Sequence, residues 1–540
     1  MFSFKIDAKN NLLNHRISVA AILFVACVLS YANSLRNQFL LDDYYVLFGD
    51  WGVEKLTSLS SLFTTVRAGF FRPVGYAFLR LFYLMFHSNA VWYHSANLLL
   101  FFIICMLFFV MTDMLFGNRR LSFLTALLYA IHPINGMLVN YVTASVISIF
   151  IVSAQLSFIF FLKFLEERKR ILYVVSLFFF ILSLLSHESS MMLPIYLCCT
   201  VYFLKHSQIK KDMIRILPYL FIIFGYLVYR LNLHDARPIG TLFQLSLTFV
   251  GYVSTIAQLI SWYISKLVIP REMLFIWDIP VAGKNLIGWT LGFLSACALA
   301  GFLIFRRWRQ EKLKAFSLAF FVAGFLPVGL ASFVYTDFTK TAMIEPHWFY
   351  FSSVGFFILV AGFILEIRQY IDRRIWIVGF GALSFLLLLL TWQHNKLWRD
   401  EETYCAHWMS INPYNVTAKL NRAFAYIGKN DKGLEKSQYE NCLRVAYLGG
   451  TYNIIGRTEE AKQYYRLALE MNPDCTMAYY GLGILYFNNR EYLESEEALL
   501  KAIDLDPSIS YFYEQLAAVY EREGKAKEAQ EIRSRMPNSK

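Results

Sequence analysis

From residue 17 to Trp392, long apolar runs alternate with short loops rich in Lys and Arg. After Trp392 that alternation stops and the chain turns polar. A run of about 20 apolar residues leaves few folds open. In a bilayer it must be a helix, because no water is present to satisfy its backbone N–H and C=O groups. The runs lie near 17–35, 93–116, 121–135, 143–163, 171–186, 189–204, 214–230, 284–305, 315–335, 348–366 and 375–393. With 57% of residues hydrophobic and 18% aromatic, the composition is that of a multispanning membrane protein. The net charge of +12 would suggest a nucleic-acid partner on a soluble chain. Here the cations gather in five short loops, 117–120, 166–170, 205–215, 306–314 and 368–374. They therefore report topology, and no nucleic-acid partner is expected. If those loops face the cytoplasm, so does the N-terminus, and about eleven crossings put the tail on the extracytoplasmic side. Lys5, Lys9 and Arg16 lead into the run 17–32, read as a retained first helix rather than a cleaved signal. Two apolar stretches break the parity, 74–88 with Arg80 inside it and 244–269 ending at Pro270. Both read as interfacial or re-entrant helices; if both span instead, the parity is unchanged.

The expected fold is all-α: a polytopic helical membrane domain over 1–394 and a polar helical domain over 395–540. The polar part repeats. Asn472-Pro473 and Asp506-Pro507 lie 34 residues apart and close similar phrases, one starting at Ala461 and the other at Ser495. A 34-residue helix–turn–helix period with a closing Pro resembles the tetratricopeptide repeat (TPR). Ala478, Gly481, Gly483, Tyr486 and Tyr492 fall at its small and aromatic packing positions. Two copies occupy 442–475 and 476–509, with flanking copies near 415–441 and 510–536. Stacked copies form an α-solenoid whose concave face commonly takes a protein or peptide. Of the eight Cys, Cys442 and Cys475 lie in this part, and a disulfide between them is open in an oxidising compartment. No Cys or His spacing demands a metal.

Asp42 and Asp43 follow the first apolar run directly. Two adjacent acids at the mouth of a membrane helix are costly unless they have a task. A carboxylate at the water–lipid boundary suits a general base. Other polar groups recur at the same ends of the apolar runs: Arg72-Pro73, Tyr93-His94 with Asn97, His132-Pro133, His187-Glu188 and Pro346-His347-Trp348. His94 and Asn97 read as bonds to neighbouring helices, and Asp337 and Glu345 as solvated loop acids. No phosphate-cradling glycine loop is present, which disfavours a soluble nucleotide-sugar donor.

Taken in order, Asp42-Asp43, Phe71-Arg72-Pro73-Val74, His132-Pro133, His187-Glu188, Trp348-x-Tyr350, Trp398-Arg399-Asp400-Glu401 and the repeat tail form a set. It resembles the transmembrane-and-TPR O-mannosyltransferases and their bacterial relatives, within the GT-C glycosyltransferase class. The resemblance implies a GT-C-type membrane domain and an inverting transferase with a polyprenyl-phosphate-linked sugar as donor. The acceptor would be a hydroxyl of a protein or peptide presented by the TPR domain. Asp42 or Asp43 would be the catalytic base, with Asp42 favoured. Arg72, His132, His187, Glu188 and His347 would hold the donor phosphate. No cofactor is required; the acids and histidines are suitable ligands for a divalent cation, but no metal site is implied. The location would be the bacterial inner membrane with a periplasmic TPR domain, or the endoplasmic reticulum with a lumenal one. The chain departs from the family where Lys-Glu and Glu-Arg-Tyr-like residues become His187-Glu188 and Pro346-His347-Trp348. Histidine thus stands twice where a permanent cation is expected. Two rival readings follow. One is a transferase that modifies lipid or polysaccharide; the other is an inactive TPR membrane scaffold.

Overall fold

The computed structural model describes residues 16–48, 52–56, 61–64, 70–204, 208–233, 248–274, 276–280, 286–307, 311–332, 341–411, 442, 445–446, 449–450, 452–453 and 458–537. Their regular structure is nearly all helical. The chain forms two compact units, residues 1–403 and 404–540.

In the first unit every apolar run carries a helix. Five are long and apolar enough to cross a membrane: Arg16–Arg36, Ala90–Phe116, Val142–Glu167, Ile209–Leu231 and Arg373–Leu397. Arg119–Ile131 and Pro133–Asn140 make a sixth candidate, bent by 62° at His132-Pro133. Pro133 lacks the N–H needed to continue the helix, so the bend sits where the sequence places it. Shorter apolar helices occupy Pro73–Phe86, Arg170–Leu184, Glu188–Leu204, Leu286–Phe302 and Val354–Ile367. The run 315–335 divides into Lys312–Ala323 and Val328–Ala331, parted by a turn through Gly324 and Pro327. By helix length and composition the chain is a multi-pass membrane protein, with five or six long spans among the described residues against the eleven read from the runs. Length and breaks separate the two counts, because several apolar helices here are shorter than a bilayer is thick and two of the runs are bent or divided.

Burial sorts the helices. Val142–Glu167 is 78% buried in its apolar window and Arg373–Leu397 only 11%, so the first is the central post and the second lies at the periphery. One end of Arg373–Leu397 is nonetheless tied inward. Asn37 Nδ2 donates to Asn140 Oδ1 at 2.9 Å, and Asn140 Nδ2 donates to Asn395 Oδ1 at 2.7 Å. Asn395 Nδ2 reaches Ser30 O at 2.8 Å and Asn33 Oδ1 at 2.9 Å. Thr391 Oγ1 donates to Ile131 O at 2.8 Å. In a medium without water, such a relay fixes which helix ends meet.

The all-α expectation needs one correction. Trp277–Pro280 and Thr341–Ile344 pair as a two-stranded antiparallel ribbon, with Trp277 opposite Ile344 and Pro280 opposite Thr341. Each strand is four residues, too short for a periodicity to be read from sequence. The second strand runs straight into Glu345, Pro346 and His347 and sets their position.

In the second unit the helices Thr458–Met471, Thr476–Asn488, Tyr492–Leu505, Ser510–Arg522 and Ala526–Ser534 follow one another, each packed on the next. The packing positions behave as read. A Cβ at Gly481 would meet the Tyr465 ring at 2.1 Å, and one at Gly483 would meet Leu499 at 2.6 Å. Cys442 and Cys475 are buried in one apolar cluster and are not joined by a disulfide. The expected copy at 415–441 lies outside the described residues.

Candidate active site

The chain reaches the acidic pair through a strained turn. Leu41 is buried with φ of 52°, left-handed for a residue with a Cβ. Such backbone costs roughly 1–2 kcal/mol and persists only where the surroundings impose it. Asp43 imposes it. Its Oδ1 accepts from Thr143 N at 2.8 Å, and its Oδ2 from Leu40 N at 3.1 Å and Val142 N at 3.3 Å. The side chain is wholly buried. Burial pushes its carboxyl up to about 7 against the downward pull of the Leu40, Thr143 and Val142 amides. Asp43 is thus a brace between the turn and the start of the central helix. Asp42 opens the helix Asp42–Phe48 on that braced backbone. Its side chain lies outside the described residues. His94 and Asn97 also serve this corner, bonding the Val139 carbonyl at 2.9 Å and the Tyr141 carbonyl at 2.9 Å.

About seven residues further along the central helix, roughly 10 Å at helical rise, lies a second polar group. Arg72 precedes Pro73, which opens the helix Pro73–Phe86. Gly75 lets that helix lie against the central one, since a Cβ there would meet Val146 at 2.4 Å. Val74 N donates to Leu185 O at 3.1 Å, bringing Arg72 to the turn that carries His187-Glu188. Arg72 Nε and Nη2 both reach Glu188 Oε2, at 2.9 and 2.8 Å. The turn is pinned in turn: Ser183 Oγ donates to Phe150 O at 3.1 Å and lies 2.7 Å from Ser190 Oγ.

His187 stacks on Phe150, ring centroids 5.5 Å apart, and meets His347 edge-on at 5.2 Å. His187 Nδ1 accepts from Ser189 N at 3.2 Å, so in the neutral ring Nε2 carries the proton. That Nε2 and Glu188 Oε1 are both buried without a partner. Burial, then the charges of Arg72 and His347, hold His187 well below the usual histidine range. At neutral pH it is a hydrogen-bond donor and not the replacement cation that sequence reasoning sought. His347 Nδ1 lies 2.9 Å from Glu345 Oε2, at an angle that makes no hydrogen bond. Glu345, read as a solvated loop acid, is instead only 15% exposed and belongs to this cluster. Asp337 lies outside the described residues.

The structure therefore brings Arg72, His187, Glu188 and His347 together and leaves His132 apart. His132 Nε2 donates to Leu267 O at 3.1 Å, and its Nδ1 accepts from Ile134 N at 3.2 Å. One ring nitrogen caps the turn at the bend and the other ties the bend to the helix Phe249–Val268. Beside the cluster opens a pocket between Phe150, Ala154, Ser189, Leu193, Trp348 and Phe351. Trp348, already part of the motif set, and Ser189, which sequence reasoning did not single out, are direct neighbours of His347 and Glu188 in the chain. Among the described residues no three His, Cys, Asp or Glu side chains gather to hold a metal ion. The arrangement can hold an anionic group against Arg72 and the His187 N–H, with an apolar aromatic space next to it.

Comparison with known proteins supports part of the reading. The tetratricopeptide repeat family matches residues 448–475 and 478–509. The Caenorhabditis elegans protein O-mannosyl-transferase F38B6.6 is 23% identical over 80% of this chain and 63% of its own length. The mouse protein O-mannosyl-transferase TMTC3 is 24% identical over 93% of this chain and 65% of its own length. The chain thus spans less than two thirds of those relatives. It is similar, across its apolar and repeat parts alike, to proteins named as protein O-mannosyl-transferases.

Proposed function

We propose that this chain is a GT-C-type glycosyltransferase that moves a sugar from a polyprenyl-phosphate donor to a protein hydroxyl on the extracytoplasmic face. The sugar is mannose, by the names of its relatives. The backbone at Asp42 carries the reading: the strained buried turn at Leu41, held in place by Asp43, stands directly before it. Asp42 is then the base and Asp43 its support. The acceptor oxygen attacks the anomeric carbon as Asp42 takes its proton. The bond from that carbon to the phosphate oxygen breaks, and the electron pair leaves with the lipid phosphate. Arg72 and His187 Nε2–H stabilise that charge in a dry site, where such donors are worth most. The donor's apolar end lies along Phe150, Trp348 and Phe351. The repeat unit selects the protein acceptor.

The test uses the full chain in proteoliposomes with polyprenyl-phosphate mannose, radiolabelled in the sugar, and unfolded secreted proteins. Label in protein that is lost in Asp42→Asn supports the reading. Label in lipid or polysaccharide alone refutes it in favour of the first rival. The pairing of Arg72 with Glu188 favours the scaffold reading, since it balances the cation; a phenotype unchanged in Asp42→Asn establishes that reading instead.

A further inference from the structure

A second pocket lies on the other side of the turn that carries His347. Pro346 lines it, whereas Trp348 lines the cavity beside His187. Trp262, Trp398, Ile134, Tyr350 and His394 also line it, together with Lys266, its one permanently charged side chain. Lys266 sits in the last turn of the helix Phe249–Val268. Its Nζ donates to Arg271 O at 2.7 Å, leaving two of three protons for other acceptors. Among the described residues no carboxylate lies within ion-pair distance of it, although the charge of Glu272 acts on it; Arg72, in contrast, is held directly by Glu188. Its ammonium lies 5.9 Å from the Trp262 ring, and that ring stacks on Trp277 at 5.5 Å. Ile264, Val268 and Ile269 continue from the same helix end as exposed apolar surface.

A half-buried lysine, two indoles and an apolar surface running away from them form an amphiphile site. The ammonium asks for an anion, the indoles for the level where head groups meet hydrocarbon, and the aliphatic face for a chain. We propose that the cavity between Trp262 and Trp398 binds the phosphate end of a membrane lipid, with Lys266 as its cationic ligand, distinct from the Arg72 site. The inference needs only the membrane reading; whether the lipid is the sugar donor's isoprenoid carrier rests on the function proposed above.

The experiment places the full chain in phosphatidylcholine nanodiscs with a farnesyl phosphate probe that carries a photoreactive diazirine. Mass spectrometry maps the labelled peptides. Label is expected on 262–274 and 394–398, reduced at least tenfold in Lys266→Gln, restored in Lys266→Arg, and unchanged in Arg72→Gln. Unmodified melting of Lys266→Gln shows that the loss is not unfolding. Competition by farnesyl phosphate alone identifies an isoprenoid site; equal competition by phosphatidic acid identifies a bilayer phospholipid site. Equal labelling of wild type and Lys266→Gln, or competition by farnesol or by inorganic phosphate as well as by the lipid phosphates, overturns the proposal. Asp42→Asn should lose sugar transfer and keep the Lys266-dependent label. Label without transfer in the wild type refutes the proposed function and leaves this site standing.

Discussion

At Asp43, three backbone N–H groups converge on one carboxylate, and the consequences can be measured one residue at a time. Replacing it with Asn puts an amide –NH2 against N–H donors. Asp43→Asn is therefore expected to destabilise the membrane unit by about 1–3 kcal/mol, the cost of an unmet buried bond. Asp42→Asn should change stability by less than about 0.5 kcal/mol and lower transfer by roughly 10²–10⁴-fold, the usual share of a general base. Thermal unfolding and sugar transfer on the same preparations check both. The pH dependence has a definite sign. With its folded value raised to about 7 from the ordinary carboxylate range, Asp43 favours folding in its protonated form. Its contribution is full below about pH 4 and is lost as pH rises through about 7. Wild type should melt at lower temperature at pH 8 than at pH 5.5 by a margin that Asp43→Asn removes; an equal margin in the variant would refute the assignment.

Between elements, the close approaches are made by small residues and by one ion pair. Gly481→Ala forces a methyl group into the Tyr465 ring and should cost the repeat unit about 1–3 kcal/mol, read as a lower melting temperature. Arg72→Gln leaves Glu188 half-buried and unpaired; Arg72→Gln with Glu188→Gln does not. The double variant should therefore be more stable than the single, and a double-mutant cycle measures the coupling. The same elements show what could be read from the chain beforehand. Helices and repeats were legible because apolar runs and the 34-residue period extend over many residues. The Arg72–Glu188 contact was half legible: each residue stood out as polar at a run's end, but their 116-residue separation is a matter of packing. His132 stood out equally and serves a different purpose, because a motif shows which residue is present and not which atoms its ring will meet. Glu345 and Lys266 gave no signal, as a lone charge beside an apolar segment is ordinary in sequence. The ribbon Trp277–Pro280 with Thr341–Ile344 escaped because a strand of four residues has too few repeats to reveal a period.

For the molecule as a whole, the asparagine relay joins the beginning, middle and end of the membrane unit. Asn33 and Asn37 come from the first helix region, Asn140 from the bend, and Asn395 from the last apolar helix. Asn140→Leu should remove the bonds to Asn37 and Asn395, and Asn395→Leu those to Asn140, Ser30 and Asn33. Protease resistance of the purified chain should fall further for the second. A ribosome makes these partners in order, and Asn395 comes some 255 residues after Asn140. Until the last helix is made, the amides at 37 and 140 have no mate from it and stand at the edge of an unfinished bundle. A cell that surveys membrane chains for unsatisfied polar groups would thus have a ready sign of incompleteness. Chains cut before residue 373 should be degraded faster than full-length ones, and the closing helix would act as a seal on assembly as well as a wall of the fold.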